Sequence, residues 1–407
     1  MPRESRRRPR PLSRIESELT VTDVSKRSQA IRPFVVMDLV ARAKELEASG
    51  RDIVRLEIGD PDFATPAVIT RAAEVAMQDG STHYTQSLGL PDLRNALTER
   101  YREHYGVRVD AENIVVTQGT SPAMLLLFGS LLDPGDEVVM PDPCYPAYPN
   151  YVNFLGGVPK LVPVRAEDGF RYRPEEVRAA IGPRTKAIMI NSPGNPTGAV
   201  LGDKDLRALA DIAEETGIYI ASDEIYHGLD FCGPDRTILQ YTDRAFVLNG
   251  FSKAYAMTGW RLGYLIAPPE FVRPAEKIQQ NFFLAANAFV QQAGVVALAE
   301  AGPDVARMRA IYDERRRYLV PALEETGLKI ACPPCGAFYV FADARAWGAD
   351  SLALSYRLLE EAGVSCAPGI DFGPGGEGFL RFSYAADIER LREGVARLKN
   401  WTVVQAS

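Results

Sequence analysis

Apolar residues recur in two rhythms along this chain of 407 residues. Near the N-terminus they fall at helical spacing, with one amphipathic pattern from Asp38 to Glu47 and another from Leu90 to His104. Pro91 opens the second at a first-turn position, where its missing N–H costs nothing. Short apolar runs of strand length then take over, at Ile114–Thr117, Glu137–Met140, Ala187–Ile190, Ile218–Ala221, Ala245–Asn249 and Gly263–Ile266. The longer run Ala123 to Leu132 suits a core helix. Strands separated by helices predict an α/β fold, a mostly parallel sheet with helices on both faces. Residues 58–300 read as that large domain. The arm 26–57 and the segment 301–407 read as a smaller α+β domain, with strands around Phe338–Phe341 and Gly378–Phe382 and a helix from Leu352 to Glu361.

Three stretches carry candidate chemistry. In Phe251-Ser252-Lys253-Ala254-Tyr255-Ala256-Met257-Thr258-Gly259-Trp260-Arg261, a lysine stands among small, apolar and aromatic neighbours. Desolvation disfavours its ammonium form and frees the amine for Schiff-base chemistry, and Ser252 and Arg261 can both meet a phosphate. Taken alone, the lysine fits a snorkelling surface residue equally well. The second stretch, Asn191-Ser192-Pro193-Gly194-Asn195-Pro196-Thr197-Gly198, is an irregular loop that can hold the Asn195 amide at a fixed angle; a plain strand-to-helix turn has the same letters. The third, Ile218 to Tyr226, ends a buried-looking strand in Asp223, Glu224 and Tyr226. Ligands of open α/β sheets bind outside the carboxyl ends of strands, so Asp223 and Tyr226 would face a crevice. A helix N-cap is the bland alternative for Asp223.

In this order the three motifs resemble the class I/II aminotransferases, the pyridoxal-phosphate enzymes of the aspartate aminotransferase fold type. The resemblance runs from about Ile31 to the C-terminus. It implies pyridoxal 5'-phosphate as cofactor, with Lys253 joined to it and then carrying the substrate's α-proton. It pairs Asp223 with the pyridine nitrogen, sets Asn195 and Tyr226 on the ring's phenolic oxygen, and puts Ser252 and Arg261 on the phosphate. Thr120 and Ser121, in Val115-Val116-Thr117-Gln118-Gly119-Thr120-Ser121-Pro122, become phosphate donors at a helix start, although an ordinary capping turn fits those letters too. Tyr145 matches the residue that stacks on the ring. Tyr84 matches a tyrosine reaching the phosphate of the neighbouring subunit, which implies a homodimer with sites at its interface. Arg381 is a charge between apolar neighbours, costly unless paired; the family's answer is bidentate binding of the substrate α-carboxylate. Gly59 lies where family members offer a backbone amide to that carboxylate, and Asn195 borders it.

The implied reaction is ping-pong transamination between an L-amino acid and a 2-oxo acid. A bacterial aspartate-specific branch carries a lysine just after the glycine turn; Ser121 stands there in this chain. The segment Arg32-Pro33-Phe34-Val35-Val36-Met37 is also more apolar than in that branch. Both departures favour a neutral or hydrophobic donor, with 2-oxoglutarate or pyruvate as acceptor. Aspartate is the specific rival, and lyases and oxidases share the fold.

Composition narrows the remaining classes. A net charge of −7 argues against nucleic acid as the main partner. No apolar stretch approaches the roughly 18 residues that cross a bilayer. Residues 1–25 read as a disordered tail, since Pro2 to Arg14 carries six arginines against one acid and no apolar region of a signal peptide. The expected compartment is therefore the cytoplasm. Five cysteines, an odd count, suit free thiols in a reducing environment. Cys332-Pro333-Pro334-Cys335 has redox or metal spacing, but no second such pair accompanies it and the histidines (His83, His104, His227) lie far off in sequence. It reads as a coincidence, with no metal site.

Overall fold

The computed structural model describes residues 24–406, so all but the last two residues of the basic tail lie outside the described part. Twelve strands are described: β1 Val54–Arg55, β2 Ile114–Thr117, β3 Glu137–Asp142, β4 Val158–Pro163, β5 Thr185–Asn191, β6 Tyr219–Asp223, β7 Ala245–Gly250, β8 Gly263–Ile266, β9 Tyr339–Asp343, β10 Val364–Ser365, β11 Ala367–Pro368 and β12 Phe379–Ser383. Seven of them form the main sheet in the order β2-β8-β7-β6-β5-β3-β4. Only β8 runs against its neighbours β2 and β7; the other pairs are parallel.

Apolar residues on both faces explain why these strands read as continuous runs rather than alternating ones. Val115, Val138, Ala221 and Leu265 pack on one face with Leu126 and Phe128 of the helix Thr120–Leu131. Ile114, Val116, Ile188 and Val247 pack on the other with Leu93, Leu209 and Ala293. Parallel strands buried on both sides place their carboxyl ends along one rim, and the loops leaving that rim carry the chemistry.

Two small sheets sit outside the main one. β12 lies between β11 and β9, antiparallel to both, with Arg381 opposite Phe341. β1 pairs in parallel with β10, Val54 beside Val364, so the N-terminal arm joins the C-terminal part. Leu319, Leu323, Leu391 and Leu398, from the helices Gly302–Glu324 and Ile388–Ala406, share one core with β9 and β12. The expected helix Leu352–Glu361 is α-helical over Ser351–Arg357 and widens into a π turn over Leu358–Ala362 before Gly363 ends it at φ 66°.

The cysteine reading needs correction. Cys232 and Cys335 form a disulfide with Cα atoms 5.3 Å apart, across a sequence separation of 103. Cys144, Cys332 and Cys366 are free. Cys335 is thus a bonded cysteine after all, though not to the residue its spacing suggested. The bridge ties the loop after β6 to the segment leading into β9.

Candidate active site

The carboxyl ends of β5 and β6, the loop after β7 and the helix start after β2 converge on a cavity of about 480 Å³. Eleven of the twelve residues singled out from sequence line it: Gly59, Thr120, Ser121, Tyr145, Asn195, Asp223, Tyr226, Ser252, Lys253, Arg261 and Arg381. Tyr84 does not; it stands 85% exposed on this chain.

One end is built for an anion. The antiparallel pairing of β2 with β8 brings Gly263 against Gly119, so closely that a Cβ at Gly263 would lie 2.7 Å from the Gly119 carbonyl carbon and 2.9 Å from the Thr120 nitrogen. Gly119 itself needs φ +90°, which favours glycine. The helix Thr120–Leu131 has no side chain capping its start, so its first N–H groups remain available to a ligand. Arg261, in the left-handed region at φ 56°, donates Nη1 to the Thr258 carbonyl at 3.0 Å, and its Nη2 lies where a Gly119 side chain would be. Ser252 completes this wall.

The middle holds a carboxylate, an amine and aromatic rings. Asp223 is the last residue of β6 and 3% exposed. Burial pushes its carboxyl up to about 6, although the Tyr148 hydroxyl donates to it at 2.7 Å and the Ile225 N–H at 3.2 Å. Lys253 Nζ donates to the Gly59 carbonyl at 2.6 Å. Burial brings this amine down to about 8; Asp60 pulls it upward, while Arg381 and Arg261 press it down. Tyr226 shares a 2.8 Å hydrogen bond with the Tyr339 hydroxyl. Tyr145, its phenol pushed up to about 12 by burial, stands edge-on to Tyr148 and 5.9 Å from the ring of Phe34.

The far end carries Arg381. Its Nη1 donates to Asn195 Oδ1 at 2.8 Å and its Nη2 to the Glu57 carbonyl at 2.5 Å. The guanidinium lies 4.4 Å from the Tyr339 ring and 4.8 Å from the Phe372 ring. Its Nε is buried without a partner, and among the described residues no carboxylate forms an ion pair with it. A buried guanidinium that no described carboxylate pairs with suits an anionic ligand. Gly59 enters the site through its carbonyl, which accepts from Lys253.

Sequence reasoning missed Tyr148, Tyr339, Phe34 as an aromatic neighbour, and Asp371, all of which line the cavity. Tyr148 is three residues beyond Tyr145, within the helix Ala147–Phe154, and Tyr339 lies inside a stretch read only as a strand. The fit to a phosphorylated pyridine aldehyde is direct. The uncapped helix start and Arg261 suit a phosphate, buried Asp223 suits a protonated ring nitrogen, and the low-pKa amine of Lys253 suits the aldehyde carbon.

Residues 51–398 match the family model of aminotransferase class I and II. The chain belongs to that family. A Thermus thermophilus relative described as an aspartate/prephenate aminotransferase is 41% identical over 381 residues, spanning 92% of this chain and 97% of its own. A (5-formylfuran-3-yl)methyl phosphate transaminase of Methanocaldococcus jannaschii is 37% identical over 382 residues, 93% of this chain and 99% of its own. The solved aspartate aminotransferase of Thermus thermophilus with maleate superposes with a TM-score of 0.90 at 40% identity, covering 93% of this chain and all of that one. This chain is accordingly a pyridoxal-phosphate-dependent aminotransferase acting on small molecules. No helix among the described residues is long and apolar enough to cross a membrane.

Proposed function

We propose that this aminotransferase takes its amino group from a neutral or hydrophobic L-amino acid and passes it to a 2-oxo acid such as 2-oxoglutarate or pyruvate, in ping-pong order. One observation carries the donor class: the only cations lining the cavity from the described residues are Lys253, Arg261 and Arg381, each already committed. On this chain none remains for a second carboxylate on the donor side chain, and Phe34, Val36, Met37 and Ile58 offer an apolar wall instead.

The proposed roles follow from the contacts. Arg381, preoriented by Asn195 and the Glu57 carbonyl, grips the α-carboxylate as a fork. Lys253, whose ammonium form burial disfavours, takes the α-proton as the neutral amine. Bound pyridoxal 5'-phosphate supplies the electron sink that makes this proton acidic. Asp223 in its charged form holds a proton on the ring nitrogen. Tyr226, supported by Tyr339, and Asn195 would hold the ring's oxygen, and Tyr145 would give the ring an aromatic neighbour. Thr120, Ser121, Ser252 and Arg261 hold the phosphate.

We also read the working unit as a homodimer in the cytoplasm. Tyr84 is exposed on this chain, as are Phe282 at 71% and Leu284 at 50%, which suits burial against a second copy. The Cys232–Cys335 bridge, exposed only at Cys232, is the feature that speaks against a strongly reducing compartment.

A donor screen with 2-oxoglutarate tests the substrate reading. Leucine, phenylalanine or alanine should lead; aspartate outrunning all three by about tenfold would overturn it. That outcome would establish the second reading, aspartate as donor, which the Thermus relatives' names favour.

A further inference from the structure

The helix Val35–Ala48 begins without a cap of its own. Its N-cap residue is Phe34, which offers no side-chain acceptor. The acceptor comes instead from more than 300 residues away: the Val35 N–H donates to Asp371 Oδ1 at 2.8 Å and the Val36 N–H to Asp371 Oδ2 at 3.3 Å. Both carboxylate oxygens are thus spent on one helix start, where a negative charge also complements the helix dipole.

This cap sits between two functional walls. On one side, the capped backbone fixes Phe34, whose ring lies 5.9 Å from Tyr145, and Val36, which also lines the cavity. On the other, Asp371 is followed directly by Phe372, whose ring lies 4.8 Å from the guanidinium of Arg381. A second tether holds the start of the same segment, where the Arg32 N–H donates to Asn150 Oδ1 and the Arg32 carbonyl accepts from Asn150 Nδ2, each at 3.0 Å. Asn150 fixes the outer end and Asp371 the end that faces the substrate.

We propose that Asp371 is a positioning residue which holds the segment 32–37 across the cavity and thereby sets the preference for large donor side chains. Alanine as donor, lacking a side chain long enough to meet Phe34 and Val36, is insensitive to the latch. The inference rests on the apolar-donor reading only in its choice of donors.

The test uses the cofactor-loaded enzyme with Asp371→Ala and Asp371→Asn, read by amide hydrogen exchange over residues 33–40 and by KM and kcat for phenylalanine and alanine. In Asp371→Ala, exchange at Val35 and Val36 should accelerate by about tenfold, the expected effect of removing a charged acceptor. KM for phenylalanine should rise by about tenfold, with KM for alanine and both kcat values within about threefold. Asp371→Asn keeps one acceptor oxygen and should recover part of both effects. Unchanged exchange would overturn the proposal, as would KM values that rise equally for both donors or a loss confined to kcat. If the wild-type enzyme prefers aspartate, the donor reading falls on its own. Exchange and the aspartate-to-alanine KM ratio then decide the latch, which requires the larger donor to suffer more.

Discussion

Replacing Tyr148 with Phe removes one hydroxyl from the site and leaves its ring in place. That hydroxyl donates to Asp223 at 2.7 Å, and Tyr148 is 1% exposed. A hydrogen bond to a charged group is worth about 1.5–3 kcal/mol, or roughly one to two pK units. Asp223 sits at about 6 because burial outweighs the bonds it accepts, so losing one moves it to about 7–8. At pH 7 its charged fraction then falls from roughly nine-tenths to between a half and a tenth. If only the charged carboxylate pairs with the protonated ring nitrogen, pyridoxal 5'-phosphate should bind the variant about 2- to 10-fold more weakly at pH 7. Above about pH 9 the two proteins should converge, since both carboxyls are then ionised. The assay is absorption titration of the cofactor-free proteins across this range. Stability should follow the same group: its folded pKa lies above the ordinary carboxylate value, so the cofactor-free protein loses stability as pH rises from about 4 through 6, and the variant extends that loss upward. Equal affinities at pH 7, or a loss that ignores pH, would refute the reasoning.

Further outcomes are expected at Lys253, at the disulfide and at Gly59. The rate at which cofactor-free protein takes up pyridoxal 5'-phosphate should climb through about pH 8 rather than 10.5, following the neutral amine of Lys253; Lys253→Ala should still bind some cofactor but show no turnover. Because this folded pKa is depressed, the lysine's effect on stability is a gain as pH rises from about 8 to 10.5, visible in thermal melts of the cofactor-free protein. Thiol titration of the denatured chain should find three groups before reduction and five after it, and Cys232→Ser should lower the melting temperature, since closing a loop of about 100 residues is worth up to about 4–5 kcal/mol; five thiols without reductant would remove the bridge. Gly59→Ala should raise the amino-donor KM by about tenfold, because the new Cβ overlaps the Tyr339 hydroxyl that supports Tyr226; an unchanged KM would show that the site absorbs the methyl freely.

Much of the fold was legible because buried parallel strands leave dense apolar runs. β2 and β8 fall where the pattern put them, and Asp223 closes β6 two residues beyond the predicted end because polar Ser222 and Asp223 interrupt the apolar signal without interrupting the ladder. The helix expected from Ala123 begins at Thr120 for the same reason, its first turn being polar. β4 was invisible: Pro159 and Pro163 argue against a strand, yet it lies at the sheet's edge, where proline is tolerated. At the site, motif residues were readable, whereas residues acting through another were not. Tyr148, Tyr339 and Asp371 matter by touching Asp223, Tyr226 and a helix start, contacts that only the folded chain brings together. The Cys232 partnership was hidden in the same way, by a separation of 103 residues.

The reversed strand β8 has a consequence for how the protein is made. It lies between β2 and β7, so the helix start at Thr120 and the loop bearing Ser252 and Arg261 become neighbours only once Gly263–Ile266 has been threaded between them. On a ribosome, a chain that has emerged as far as Gly250 has its parallel strands but no phosphate cradle. Arg381, the proposed grip for the substrate's carboxylate, comes later still. Under the roles proposed above, the phosphate-facing residues are thus made before the carboxylate-facing one.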